Sequence, residues 1–250
     1  MTPHRLLAAA GLALMLAGPA TAFDPAAMSA AEREAFRAEV RAYLLDNPEV
    51  LAEAIDVLQN RRAEAEAQGD QDLVAANAED LFADAQSYVG GNPEGRLTVV
   101  EFIDYRCSFC RKAHPEVAEL VQSDGDIRYV IKELPILGEE SVLASRFAIA
   151  VLQVAGPEAY ARAHNGFYED FRGPINARSL GNFADDLGLD RDAVLARMDA
   201  PEVTRVIEDN HLLAQRMRIQ GTPTFVLGDQ MLRGYVPLDG MRAIVTDLRS

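Results

Sequence analysis

Apolar positions recur at helical spacing near the start of the chain. Ser29-Ala30-Ala31-Glu32 reads as a capping box, and Phe36, Val40, Tyr43 and Leu44 follow along one helix face. Asn47-Pro48 stops that helix, and the proline suits the first turn of the next. Val50, Leu51, Ala54, Ile55 and Leu58 form its apolar stripe. Residues 60–72 are polar and rich in Ala and Glu, with Gly69 among them, which fits a solvated helix or a hinged linker. Residues 73–88 read as helix again, ended by Gly90-Gly91-Asn92-Pro93. After Gly95 the pattern becomes β-prone. Leu97, Val99, Phe102 and Ile103 mark a buried strand, residues 107–121 a helix containing Pro115, and residues 127–134 a second strand centred on Val130 and Ile131. Residues 139–219 are helical, punctuated at Gly156-Pro157, Gly173-Pro174 and Gly188. Residues 224–227 predict a third strand, and Gly228-Asp229 a hairpin turn into Met231-Leu232-Arg233. Residues 237–249 predict a closing helix. The order is α/β, with a helical block inserted before the last strands.

The first residues predict export. Arg5 precedes an apolar run over residues 6–17, then Gly18-Pro19 and the small-residue site Ala20-Thr21-Ala22, so cleavage is expected after Ala22 and a periplasmic location follows. The run is too short to span a bilayer, which takes about 20 apolar residues. The formal charge is −15. Residues 1–22 carry one Arg and no acid, so their loss makes it −16. Such acidity disfavours nucleic acid as a partner, because phosphate affinity rests on Lys and Arg.

The chain has two cysteines, both in Cys107-Ser108-Phe109-Cys110, so no separate structural disulfide is available. Cys107 stands where a strand gives way to a helix. There the unpaired backbone N–H groups and the helix dipole favour a thiolate. Cys107 is therefore the expected attacking sulfur. Cys110, one turn along and deeper, is expected to resolve the mixed disulfide. The pair is its own redox centre, with no other cofactor expected. Thr222-Pro223 precedes an apolar strand and reads as a cis peptide that brings the Thr222 backbone beside the cysteines to hold extended substrate. Glu101 lies among Val99, Val100, Phe102 and Ile103. A carboxyl buried there has a raised pKa and is suited to exchange protons with Cys110. Lys132, in the next strand, is the candidate partner of Glu101. The bland alternatives are an edge-strand Glu101 and a solvent-facing Lys132.

Metal is the main rival for the cysteine pair. Zinc takes four Cys or His ligands in a closed site, and after the signal only His114, His164 and His211 remain, without paired spacing. His114 reads as a surface histidine, and no metal site is expected. Cu(I) needs fewer and softer ligands, so a copper-binding or copper-delivery protein using both thiolates stays open.

The segment Val100-Glu101-Phe102-Ile103-Asp104-Tyr105-Arg106-Cys107-Ser108-Phe109-Cys110-Arg111-Lys112-Ala113-His114-Pro115 resembles the active-site segment of DsbA-family periplasmic proteins. Gly221-Thr222-Pro223-Thr224-Phe225 matches their cis-proline loop, and Lys132-Glu133-Leu134-Pro135-Ile136-Leu137-Gly138 another family stretch. The resemblance covers residues 88–250. It implies a thioredoxin fold with a helical insertion, a buried acid at Glu101, and substrate contacts at Thr222, Pro223, Ser108 and Phe109. Ser108-Phe109 lacks the histidine found between the cysteines of strongly oxidising members. Arg41-Ala42-Tyr43-Leu44-Leu45-Asp46-Asn47-Pro48-Glu49-Val50-Leu51 is similar to the subgroup containing the suppressor of copper sensitivity protein C. That likeness implies a trimerising extension, disulfide isomerase activity and a membrane thiol reductase as redox partner. A membrane thiol oxidase would instead serve a monomeric dithiol oxidase. The expected division is a signal peptide over residues 1–22, a helical homo-oligomerisation module over 23–87 with its polar linker near 60–72, and a catalytic domain over 88–250 with its insertion near 139–219. The substrates expected are cysteine-containing exported proteins.

Overall fold

The structure, a computed structural model, describes residues 25–250. The expected signal peptide and its cleavage site after Ala22 lie outside the described residues. No helix among the described residues is long and apolar enough to cross a membrane. The chain divides into two compact units, one ending at Asn60 and the other Arg61–Ser250.

The first unit is helical. A turn at Pro25–Ala27 precedes α1, Ala30–Asp46, which opens on the expected capping box. The Ser29 hydroxyl accepts from the Glu32 N–H at 3.3 Å, and the Glu32 carboxylate accepts from the Ser29 N–H at 2.8 Å. Asn47 closes α1, its side-chain amide donating to the Tyr43 carbonyl at 2.8 Å. Helix α2, Glu49–Ala76, starts just after Pro48. No residue of α1 is buried, and Val40, Tyr43, Leu51 and Ile55 are exposed.

The second unit is built on five strands: β1 Tyr88–Gly91, β2 Leu97–Ile103, β3 Ile127–Glu133, β4 Thr224–Leu227 and β5 Gln230–Arg233, in the order β1-β3-β2-β4-β5. β2 and β3 are parallel and the other neighbouring pairs antiparallel. Strands β2 and β3 are joined through α4, Ser108–Asp124, which ends at Gly125 in the left-handed conformation that glycine tolerates without strain. Between β3 and β4 lie α5 Glu139–Ala155, α6 Pro157–Glu169, α7 Ala177–Asp186, α8 Arg191–Met198 and α9 Pro201–Arg216. Helix α10, Leu238–Asp247, closes the chain.

Alternation along β2 sorts the core into layers. Leu97 and Val99 pack with Val117 and Leu120 of α4 and Met241 and Val245 of α10. Val100 and Phe102 face the other way, against Val74, Leu81, Leu213 and Met217. Phe147, Tyr160, Phe167 and Phe183 fill a third cluster inside the helical insertion, which reaches the sheet at Ile103 and Ile131.

The stretch from residue 73 to 88 differs from the expected helix. Helix α2 ends at Ala76, α3 covers only Ala78–Phe82, and Tyr88 begins a strand. The Asp84 carboxylate accepts from the Gln86 N–H at 2.8 Å and the Ser87 hydroxyl at 2.6 Å, fixing a turn that local helix propensity does not announce. Antiparallel pairing of Tyr88 with Ile131 through Gly91 with Arg128 then outweighs that propensity. Gly90-Gly91, read as a helix stop, is strand. A Cβ on Gly91 would lie 2.5 Å from the Ile127 carbonyl oxygen. Gly69 lies within α2, so the polar stretch around it is helical. Val74 and Leu81 sit in the core of the second unit, so its boundary falls well before residue 88.

Candidate active site

Strand β2 delivers the chain to the site and α4 carries it away. After Ile103, Asp104-Tyr105-Arg106 form the turn, and Cys107 is the N-cap of α4, with φ −74° and ψ 120°. Asp104 fixes this turn although nothing in its local pattern singles it out. Fully buried, its carboxylate accepts from the backbone N–H of Arg106 at 2.8 Å, Ile136 at 2.8 Å and Leu137 at 3.0 Å. One side chain therefore ties the cysteine turn to the segment after β3.

Both cysteines are free thiols. Cys107 is 8% exposed and Cys110 1%, so the first sulfur faces the surface and the second the core. The Cys107 thiol donates to the Thr222 carbonyl at 3.1 Å, and the Thr222–Pro223 peptide bond is cis. Cys107 is held down to about 5. Hydrogen bonds from the Cys110 thiol and from the backbone N–H groups of Cys110 and Phe109 favour its thiolate and outweigh partial burial. Cys110 is pushed far above the ordinary thiol range by burial, by its hydrogen bond to Cys107 and by the charge of Glu101. Ser108 is exposed, and Phe109 is 57% exposed beside the reactive sulfur.

Glu101 is 3% exposed. Burial pushes its carboxyl up to about 8, against a hydrogen bond from the Tyr129 hydroxyl, and the charge of Cys107 adds to the rise. Lys132 does not pair with Glu101. The register sets Glu101 opposite Ile131 and Phe102 opposite Lys132, so Tyr129, Ile131 and Glu133 share the face of Glu101 while Lys132 points to the other. Lys132 does not face solvent either. It is 1% exposed, its ammonium bonded to Asp84 at 2.8 Å and Ser87 at 3.1 Å. Burial raises the Asp84 carboxyl, but Lys132 and Ser87 outweigh it and the group sits below its ordinary value. The position expected for Lys132 is thus taken by Tyr129. Counting strand parity from Glu101 would have found it, given the register.

His114, expected at the surface, is buried. Helix α6 covers this side of α4, placing His164 at 5.1 Å and Tyr168 at 5.0 Å between ring centres. Burial lowers the His114 pKa despite Glu169 at 3.5 Å. Burial drives His164 to about 3, and its Nδ1 lies 3.2 Å from the Tyr105 hydroxyl. A second buried acid, Glu133, is raised to about 7 by burial and accepts from Tyr160. Among the described residues no three His, Cys, Asp or Glu side chains are placed to hold a metal ion.

The arrangement pairs an outer, ionised thiol with an inner, protonated one and a buried acid whose proton affinity lies near neutral pH. A family model described as thioredoxin matches residues 83–247, and one described as the copper resistance protein ScsC N-terminal domain matches residues 32–65. The chain spans 24% of the length of the Na(+)/H(+) antiporter NhaA 1 of Salinispora arenicola, a curated relative it matches. The thiol:disulfide interchange protein DsbA of Bordetella pertussis is 25% identical over 65% of this chain and 83% of that protein. A thioredoxin-like oxidoreductase from Silicibacter pomeroyi DSS-3 is 40% identical, covers 68% of this chain and 96% of its own, and superposes with a TM-score of 0.64. Proteus mirabilis ScsC in a transitional conformation is 29% identical over 90% of this chain and 98% of its own, also with a TM-score of 0.64. The chain belongs to the thioredoxin family, as a DsbA-type, ScsC-like member.

Proposed function

We propose that this chain carries out thiol–disulfide exchange on cysteine-containing exported proteins in the periplasm, acting as a disulfide isomerase or reductase within a homo-oligomer. The observation that carries the reading is the opposite displacement of the two thiols, Cys107 down to about 5 and Cys110 upward. At neutral pH the Cys107 thiolate attacks one sulfur of a substrate disulfide. A bond forms between Cys107 and that sulfur, and the other substrate sulfur leaves as thiolate. In isomerisation that thiolate attacks another disulfide of the substrate, and the substrate thiolate so freed attacks the mixed disulfide, forming a new substrate disulfide as Cys107 leaves as thiolate. In reduction Cys110 gives its proton to the Glu101 carboxylate and attacks the Cys107 sulfur. The second substrate thiolate departs, and the Cys107–Cys110 disulfide remains for a membrane thiol reductase to reduce. Thr222 and Pro223, with Ser108 and exposed Phe109 beside Cys107, are the surface on which substrate rests.

The exposed apolar residues of α1 and α2, with the likeness of residues 32–65 to the ScsC N-terminal domain, support an assembly role for the first unit, as a trimer. The test is reactivation of a scrambled-disulfide protein by the reduced mature chain, beside the Val40→Lys/Ile55→Lys variant. Reactivation by the native chain, lost together with its oligomeric mass in the variant, supports the assembled isomerase. Equal, rapid oxidation of a reduced peptide by both, with no reactivation, favours a monomeric oxidase using a membrane thiol oxidase. The copper resistance name of that N-terminal match keeps a copper-binding role in view. Inertness in both assays, with tight Cu(I) capture by the two thiolates, would establish it.

A further inference from the structure

Beside the cysteine turn lies a cavity of about 210 Å³ whose walls include the rings of Tyr105, Phe167 and Phe171 and the side chains of Arg106, Arg111 and Arg172. Arg106 adjoins Cys107 in the chain, and Arg111 is the first residue after the cysteine motif. The three cations gather around this one cavity, next to the cysteine turn, in a chain whose net charge is −15.

Their charges are poorly compensated. Arg106 reaches Glu140 at 3.1 Å in a pair exposed on both sides. Arg111 donates to the carbonyls of Tyr168 and, at 3.0 Å, Phe167. Arg172 donates to those of Phe171 at 2.9 Å and Glu169 at 2.6 Å. Among the described residues neither Arg111 nor Arg172 has a carboxylate within ion-pair range. The Glu169 carboxylate is 3.5 Å from His114. Burial first, then Arg172 and Arg106, lower the Arg111 pKa, which reports mutual repulsion across the cavity. Guanidinium forks bind carboxylates bidentately and stack on aromatic rings. An apolar wall rimmed by such forks suits a short apolar stem ending in an anion.

We propose that this cavity is a specificity subsite that receives an acidic side chain, Asp or Glu, next to the cysteine of the protein substrate held on Cys107. The proposal rests on the thiol–disulfide exchange reading above. Because the rest of the protein repels acidic chains at long range, the subsite selects among approaching segments by placing the acidic neighbour on the cationic side of the sulfur.

The experiment uses the full mature chain and peptides with one cysteine activated as a mixed disulfide with a chromophoric aryl thiol. Glu, Gln or Lys flanks the cysteine on either side. Attack by Cys107 on the peptide sulfur forms the mixed disulfide and releases the aryl thiolate, whose absorbance gives the rate. The Glu peptide is expected to react about fivefold faster than its Gln counterpart, and the Lys peptide slowest. High salt is expected to shrink the ratio. Arg172→Gln and Arg106→Gln are expected to bring the Glu-to-Gln ratio towards one. Using a ratio removes any general slowing from a changed Cys107 thiolate, and a melting curve checks that each variant folds. A native ratio below twofold, or one unchanged in both variants, overturns the subsite and leaves the exchange reading intact. Failure of every peptide to react overturns both.

Discussion

Replacing Glu101 by Gln tests whether a buried acid near neutral pKa serves the inner cysteine. In the folded reduced protein Glu101 ionises at about 8, against 4.5 for the free group. Between those values the folded state holds a proton that the unfolded chain has released. Native stability therefore falls as pH rises through this window and levels off above about 8. At 1.36 kcal/mol per unit, the difference is at most about 5 kcal/mol. Local relaxation around the charged carboxylate reduces it. Gln keeps an oxygen to accept from Tyr129 and carries no charge, so the variant lacks this pH-dependent cost. Cys107 contributes with the opposite sign, its depressed pKa adding stability that is lost as pH falls through about 5. It is present in both proteins and largely cancels in the comparison. Urea unfolding of both under reductant, from pH 5 to 9, is expected to show the Glu101→Gln variant gaining several kcal/mol on the native protein by pH 9. In single-turnover quench experiments the same variant is expected to accumulate mixed disulfide, with resolution by Cys110 slowed about a hundredfold, the usual scale of a lost general base. A stability difference flat with pH to within about 1 kcal/mol, or resolution as fast as native, would refute the reasoning.

Alkylation of the reduced protein is expected to modify Cys107 alone, with a rate that halves near pH 5 and keeps falling below it; labelling of Cys110 at comparable rate, read by mass spectrometry, would contradict the asymmetry. Tyr129→Phe removes the hydrogen bond that holds Glu101 down, so the pH profile of the resolving step moves to higher pH, and an unmoved profile would discount the contact. Lys132→Met strands the Asp84 carboxylate and is expected to cost about 3 kcal/mol in chemical unfolding. Its exchange rate per folded molecule should stay within about twofold of native, and a selective loss of rate would return Lys132 to the catalytic set.

Local chemistry was legible along much of the chain. The capping box at Ser29 and Glu32, the strand expected over residues 127–134 and found at Ile127–Glu133, the run from Thr224 to Leu227 with its hairpin, and the cysteines at a strand-to-helix junction are all short-range signals. Glu101 was legible as buried because its immediate neighbours are apolar.

What the tertiary structure decided depends on partners distant in sequence. Strand β1 exists because β3 is there to pair with it, while its own residues resemble a helix ending. Tyr129, and not Lys132, meets Glu101 through strand parity, since side chains alternate between the faces of a sheet and register is set across strands. His114 is buried by α6, which lies beyond the next strand in sequence, and Lys132 is neutralised by Asp84 from before the sheet begins. Asp104 carries no local signal of its role, which depends on the backbone N–H groups of Ile136 and Leu137 donating to its carboxylate. Sequence determined which residues carry the chemistry, because reactivity resides in side-chain type and local backbone. Folding decided which of them meet, and burial by remote elements set their proton affinities.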